Sequence, residues 1–109
     1  MEISFETRQL RDLCEDEVLA EASLSKRDAE LLRIRLSDIR AAENYDDLQL
    51  SQPAKGVYDE FPSLIYELTP QHALVIVPQG KGVRRGASES SWLTIRRVKV
   101  VSLENINVN

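Results

Sequence analysis

Three observations in this 109-residue chain predict an α+β fold. Apolar and polar residues alternate at the N-terminus, apolar residues recur every three or four positions through the rest of the first half, and short β-branched runs dominate the second half. The order this predicts is β-α-α-β-β-β, with an N-terminal strand and a helical hairpin packed on a mostly antiparallel sheet. Residues 1–109 form one domain on this reading, because a chain of this size buries roughly 60 to 70% of its unfolded surface in a single core. No disulfide or metal has to hold it together.

Each element has its own signature. Ile3 and Phe5 alternate with Glu2, Ser4 and Glu6, the period of a short strand with one face buried. Thr7 then caps a first helix, in which Leu10, Leu13, Cys14 and Val18 make the apolar stripe and Arg11, Asp12, Glu15, Asp16 and Glu17 the outer face. Ser25 followed by Asp28 resembles a capping box with the shorter acid at its third position, and it opens a second helix that runs to about Glu43. Ala29, Leu32, Leu36 and Ile39 form the seam of that helix, which predicts an antiparallel pair. A polar connector ends near LSQPAKG. Residues 64–68 and 73–77 then flank Thr69, Pro70, Gln71 and His72 as a hairpin, with Pro62 and Pro78 at the strand ends, where a sheet tolerates a missing donor. QGKGVRRGASESS is a loop too polar to pack. Trp92 and Ile95 lead into a last strand carrying Val98, Val100, Val101 and Leu103, and the chain closes on ENINVN.

Composition excludes several classes. The one cysteine, Cys14, cannot pair within the chain and sits among leucines as a small buried hydrophobe, which fits a reducing cytoplasm. No apolar run approaches the ~18 residues a bilayer span requires. The stretch MEISFETR also lacks the pattern of a signal peptide. Asp46, Asp47, Asp59 and Glu60 are not spaced as a calcium loop and there is no His/Cys cluster, so no metal or cofactor is expected.

Charge is distributed unevenly. Residues 1–50 hold 7 Lys/Arg against 13 Asp/Glu, whereas residues 51–109 hold 7 against 5. Within residues 79–99 the bases Lys81, Arg84, Arg85, Arg96, Arg97 and Lys99 are opposed by Glu89 alone. A polyanion or an acidic partner would be met there, which makes these six residues the candidate RNA- or partner-binding site. The competing reading is an ordinary solvated surface.

Three segments carry a family resemblance. MEISFETRQLRDLCEDE, RIRLSDIRAAENYDDL and SWLTIRRVKVVSLENI resemble the HigB-like toxins of bacterial type II toxin–antitoxin modules, within the RelE/ParE superfamily, some of whose relatives are called killer proteins or killer suppression proteins. The resemblance implies a RelE-like fold, messenger RNA cleavage in the ribosomal A site by the active members, and a cognate antitoxin that wraps the toxin. Such cleavage needs a base for the ribose 2′-hydroxyl, cations for the charged transition state and an acid for the leaving oxygen. The family draws these from a basic, His-containing stretch before the hairpin, an arginine on a central strand, and a Tyr-His pair after the last strand. Here PAKGVYDEFP offers Lys55 beside Asp59 and Glu60, HALVIVP puts Ala73 in the arginine's place, and Ile106 and Asn107 follow the last strand. No catalytic residue carries over.

The resemblance therefore implies a toxin-family component with a degenerate active site, and whether it is an enzyme stays open. Two alternatives stand beside it: a catalytically silent protein-binding module that sequesters an antitoxin, and a small RNA-binding protein. Other residues have competing readings. His72, the sole histidine, is a general base or a solvated turn residue. Tyr58 and Tyr66 stack on bases or pack in the sheet, and Trp92 reads RNA or anchors the core. Glu104 with Arg96 or Arg97 is an acid–base pair or a surface ion pair.

Overall fold

The computed structural model describes residues 1–80, 83 and 92–105, the last two by their backbone alone. The fold is α+β, with β1 (Glu2–Phe5), α1 (Arg8–Glu15), α2 (Glu17–Ser23), α3 (Lys26–Ala41), α4 (Tyr45–Leu48), β2 (Ala54–Tyr58), β3 (Phe61–Thr69), β4 (His72–Gln79) and β5 (Arg97–Asn105). Single 3-10 turns follow α4 at Gln49–Ser51 and precede β5 at Trp92–Thr94. The strands make one sheet in the order β1-β5-β4-β3-β2, antiparallel throughout except where β1 runs parallel to β5. No helix among the described residues is long and apolar enough to cross a membrane.

The first helix of the sequence reading is two helices. Asp16 leaves the helical region (φ −103°, ψ 108°) and its Oδ1 accepts from the amides of Val18 (3.0 Å) and Leu19 (3.1 Å), so one aspartate ends α1 and caps α2. The change of axis turns Val18 out of the apolar stripe, leaving it 78% exposed. Ser25 caps α3 as expected, with Oγ accepting from the Asp28 amide at 3.0 Å. Leu32, Leu36 and Ile39 on α3 are all but fully buried, each contributing roughly 1.5–3 kcal/mol of apolar burial.

The connector holds two further elements. Asn44 caps α4 by accepting from the Asp47 amide at 3.0 Å, which carries Tyr45 and Leu48 into the core. Residues 54–58 form β2, a strand the composition hides, because Lys, Gly and a preceding Pro are poor strand formers and an edge strand needs little burial. Asp59 and Glu60 close it onto β3 in a two-residue turn with φ of 48° and 68°.

The expected hairpin of β3 and β4 forms, with strands longer than the apolar runs and a turn of only Pro70 and Gln71. His72 is thus the first residue of β4. Strand β5 contains a bulge: Val75 pairs with Ser102 and Ile76 with Val100, leaving Val101 as the extra residue. Val98 and Val100 face the helices, Val101 packs with Val75 and Val77 on the opposite face, and Leu103 returns to the helical side across from Leu74. A run of adjacent valines therefore serves both faces of the sheet.

Candidate functional site

The helices cover one face of the sheet. On the other, Val75, Val77 and Val101 are buried in a second apolar cluster edged by Tyr58, Phe61 and Ile65, and no helical residue among those described joins it. A groove of about 630 Å³ runs over this face. Val77, Val101 and Phe61 supply apolar floor, and Glu6, Gln79 and Lys99 supply polar rim. It is the natural place for the basic set to act.

Only half of that set can be placed. Lys81, Arg84 and Arg85 lie outside the described residues. Lys99 lines the groove, with Nζ 3.0 Å from a Glu6 carboxylate oxygen. Arg97 shares its strand face two residues earlier, and Glu2 Oε2 accepts from its guanidinium, with Nε and Nη2 both 3.1 Å away. Ser4 Oγ donates to Gln79 Oε1 at 2.6 Å, tying β1 to β4 across the same face. Arg96 precedes the strand and borders a separate depression with Met1, Glu43 and Thr94. The two basic residues on the face are therefore each paired with an acid of the neighbouring N-terminal segment. These pairs are solvent-exposed enough to contribute less than about 1 kcal/mol of stability, but they cancel local positive charge.

Several single-residue readings are resolved by position. Tyr66 is buried, donates its hydroxyl to the Leu48 carbonyl at 3.4 Å and carries the Arg35 guanidinium 4.5 Å over its ring, so it is a core residue. Trp92 packs against the Tyr45 ring at 4.9 Å as a core anchor. Tyr58 lines the groove and remains available to a ligand. Glu104 pairs in register with Ala73, whereas Arg97 pairs with Gln79. Seven strand residues at a rise of ~3.3 Å put Glu104 and Arg97 roughly 23 Å apart, which removes them as an acid–base pair. Ile106 and Asn107 lie outside the described residues.

His72 is not the solvated turn residue of the sequence reading. Its Nδ1 lies 2.5 Å from Oδ2 of Asp28, whose residue is 3% exposed. A carboxylate oxygen accepts, so the hydrogen bond runs from Nδ1 of His72 to Asp28. Asp28 was legible as a helix-start residue but not as a buried partner, because nothing local signals a contact across 44 positions.

No family model, curated protein or solved structure matches the chain. The functional reading accordingly rests on the resemblance and on the open face itself.

Ala73 is 2% exposed. In register it stands directly between Glu67 of β3 and Glu104 of β5.

Proposed function

We propose that the chain is a cytoplasmic, toxin-side component of a bacterial type II toxin–antitoxin module, of the HigB-like line, that does not cut messenger RNA and acts by binding a partner protein, its antitoxin. The observation that carries this reading is the setting of Ala73. Phosphoryl chemistry on RNA needs fixed cations around the developing charge. Here the position holds a buried alanine, and the residues facing it on both neighbouring strands are acids.

The open face supports the binding half of the proposal. A polyanion gains affinity when unpaired Lys and Arg displace its condensed counterions into solution, and Arg97 and Lys99 are already paired with Glu2 and Glu6. An apolar floor with a rim of both charge signs is instead the composition of a protein–protein interface. An apolar anchor from the antitoxin would rest on Val77 and Val101, while its charged flanks exchange partners with Glu6 and Lys99.

The test is induced expression in a bacterial host, with and without the adjacent gene product, recording growth and mapping message ends, followed by titration of the purified pair. The expected result is intact messages and a complex that Val101→Lys weakens at least tenfold. Codon-aligned cleavage relieved by the neighbour would replace this reading with an active toxin. Absence of any complex would remove the binding function.

A further inference from the structure

Strand β2 is an edge of the sheet, and among the described residues no strand meets its outer side. An open edge invites another chain unless a bulge, a proline or a short length blocks it. Here the pairing with β3 is regular over all five residues, from Ala54 opposite Ile65 to Tyr58 opposite Phe61. The pair flanking a two-residue turn exchanges both backbone hydrogen bonds, and such pairs alternate along the ladder. Tyr58, Gly56 and Ala54 therefore turn their amides and carbonyls toward β3. Lys55 and Val57 turn theirs to the free edge.

The side chains at this edge are also unspent. Val57 is 76% exposed and lies beside a groove of about 590 Å³ floored by Tyr45, Leu64 and Trp92. Leu50 (83%) and Leu93 (62%) directly follow two residues of the same groove, Gln49 and Trp92. Of the six large exposed hydrophobics of the described chain, Val57 is on this edge strand, Leu50 and Leu93 are next in sequence to residues of its groove, and the others are on α2 and α3. Lys55 and Glu60 line the groove as well, and among the described residues neither is in an ion pair.

We propose that β2 pairs with β2 of a second copy of this chain, antiparallel about a two-fold axis at Val57, to form a reversible dimer with one continuous sheet. Three features point to self-pairing over another partner. An outward-facing residue at the axis gives a hydrogen-bonded pair in which each Val57 amide donates to the carbonyl of the other. The axis sets the two Val57 side chains side by side on the same sheet face, joining two grooves. It also sets Lys55 of each copy against the Asp59–Glu60 turn of the other, so opposite charges meet twice in an interface that is its own complement. The two joined grooves lie on the helical side of the sheet, whereas the valine floor offered to the antitoxin, Val77 and Val101, lies on the opposite side.

Sedimentation velocity of the purified full chain, from micromolar to millimolar concentration, tests the pairing. The expected result is a monomer–dimer equilibrium that Val57→Asp abolishes. Lys55→Glu and Glu60→Lys should each weaken it about tenfold, because each turns two attractive pairs into like-charge pairs, and the doubly reversed Lys55→Glu/Glu60→Lys chain should recover wild-type association. All three positions are at the exposed edge, and circular dichroism checks that the variants keep the fold. A wild-type chain that stays monomeric at the highest concentration overturns the proposal. So does a dimer indifferent to Val57→Asp, or a double reversal that fails to recover.

Discussion

Asp28 Oδ2 and His72 Nδ1 lie 2.5 Å apart, joining the first turn of α3 to the first residue of β4 across 44 positions of sequence. The carboxylate is buried and the imidazole nearly so, so removing either partner strands the other. Asp28→Ala and His72→Ala should each destabilise the fold by about 2 kcal/mol, and a double-mutant cycle by urea unfolding should give a coupling of at least about 1 kcal/mol. Additive losses would show that the two side chains do not act as a pair.

Asp16 is the joint of the helical region, where a single carboxylate oxygen holds two amides. Asp16→Ala should cost about 1 kcal/mol, and Asp16→Asn or Asp16→Ser much less, since either keeps an acceptor at the cap. An unchanged midpoint for the alanine variant would mean that the break between α1 and α2 is imposed from elsewhere.

Glu60 sits at φ 68°, where a side chain is strained and glycine is not. Relief of that strain, offset by the greater freedom of glycine in the unfolded chain, should make Glu60→Gly more stable by about 0.5–1 kcal/mol. Thermal unfolding at a concentration too low for association measures it. A loss of stability would place the benefit of Glu60 in contacts of its carboxylate.

Burial pushes the Cys14 thiol up from 9.0 to about 11. The folded chain thus keeps its proton where the unfolded chain has lost it. The contribution is fully present below about pH 9 and fades as the pH rises to about 11. Stability should therefore fall across that window more steeply in the wild type than in Cys14→Ala. At neutral pH the folded thiol should react with iodoacetamide roughly 100-fold more slowly than the same thiol in urea, in proportion to its thiolate fraction. Equal rates would mean that Cys14 is open to solvent.

Much of the architecture was legible in the chain, for identifiable reasons. The seam of Leu32, Leu36 and Ile39 and the cap at Ser25 are local signals, and both elements formed where those signals stand. The hairpin of β3 and β4 was equally plain from its flanking apolar runs. What escaped detection depends on tertiary setting. Asp16 reads as one more acid on a helix surface until its side chain is seen to accept two amides. Strand β2 has no apolar alternation because its residues are half solvated at a sheet edge. The candidate site divides in the same way. Arg97 and Lys99 were identifiable as a basic pair, but their neutralisation by Glu2 and Glu6 follows from the parallel pairing of β1 with β5, which brings together residues almost a full chain length apart.

The bulge in β5 bears on how this chain can change length. Val98 and Val100 are in phase with the helical side before it, Leu103 is in phase after it, and the additional residue is taken up between them. Removing one member of the Val100–Val101 pair would leave the register of both halves with β4 unbroken, and no side chain would exchange faces. Only the local twist, and the floor of the groove above it, would alter. A related chain one residue shorter at this point would align with a gap there and keep the same sheet, so an indel in this strand can redraw the open face without rewriting the core.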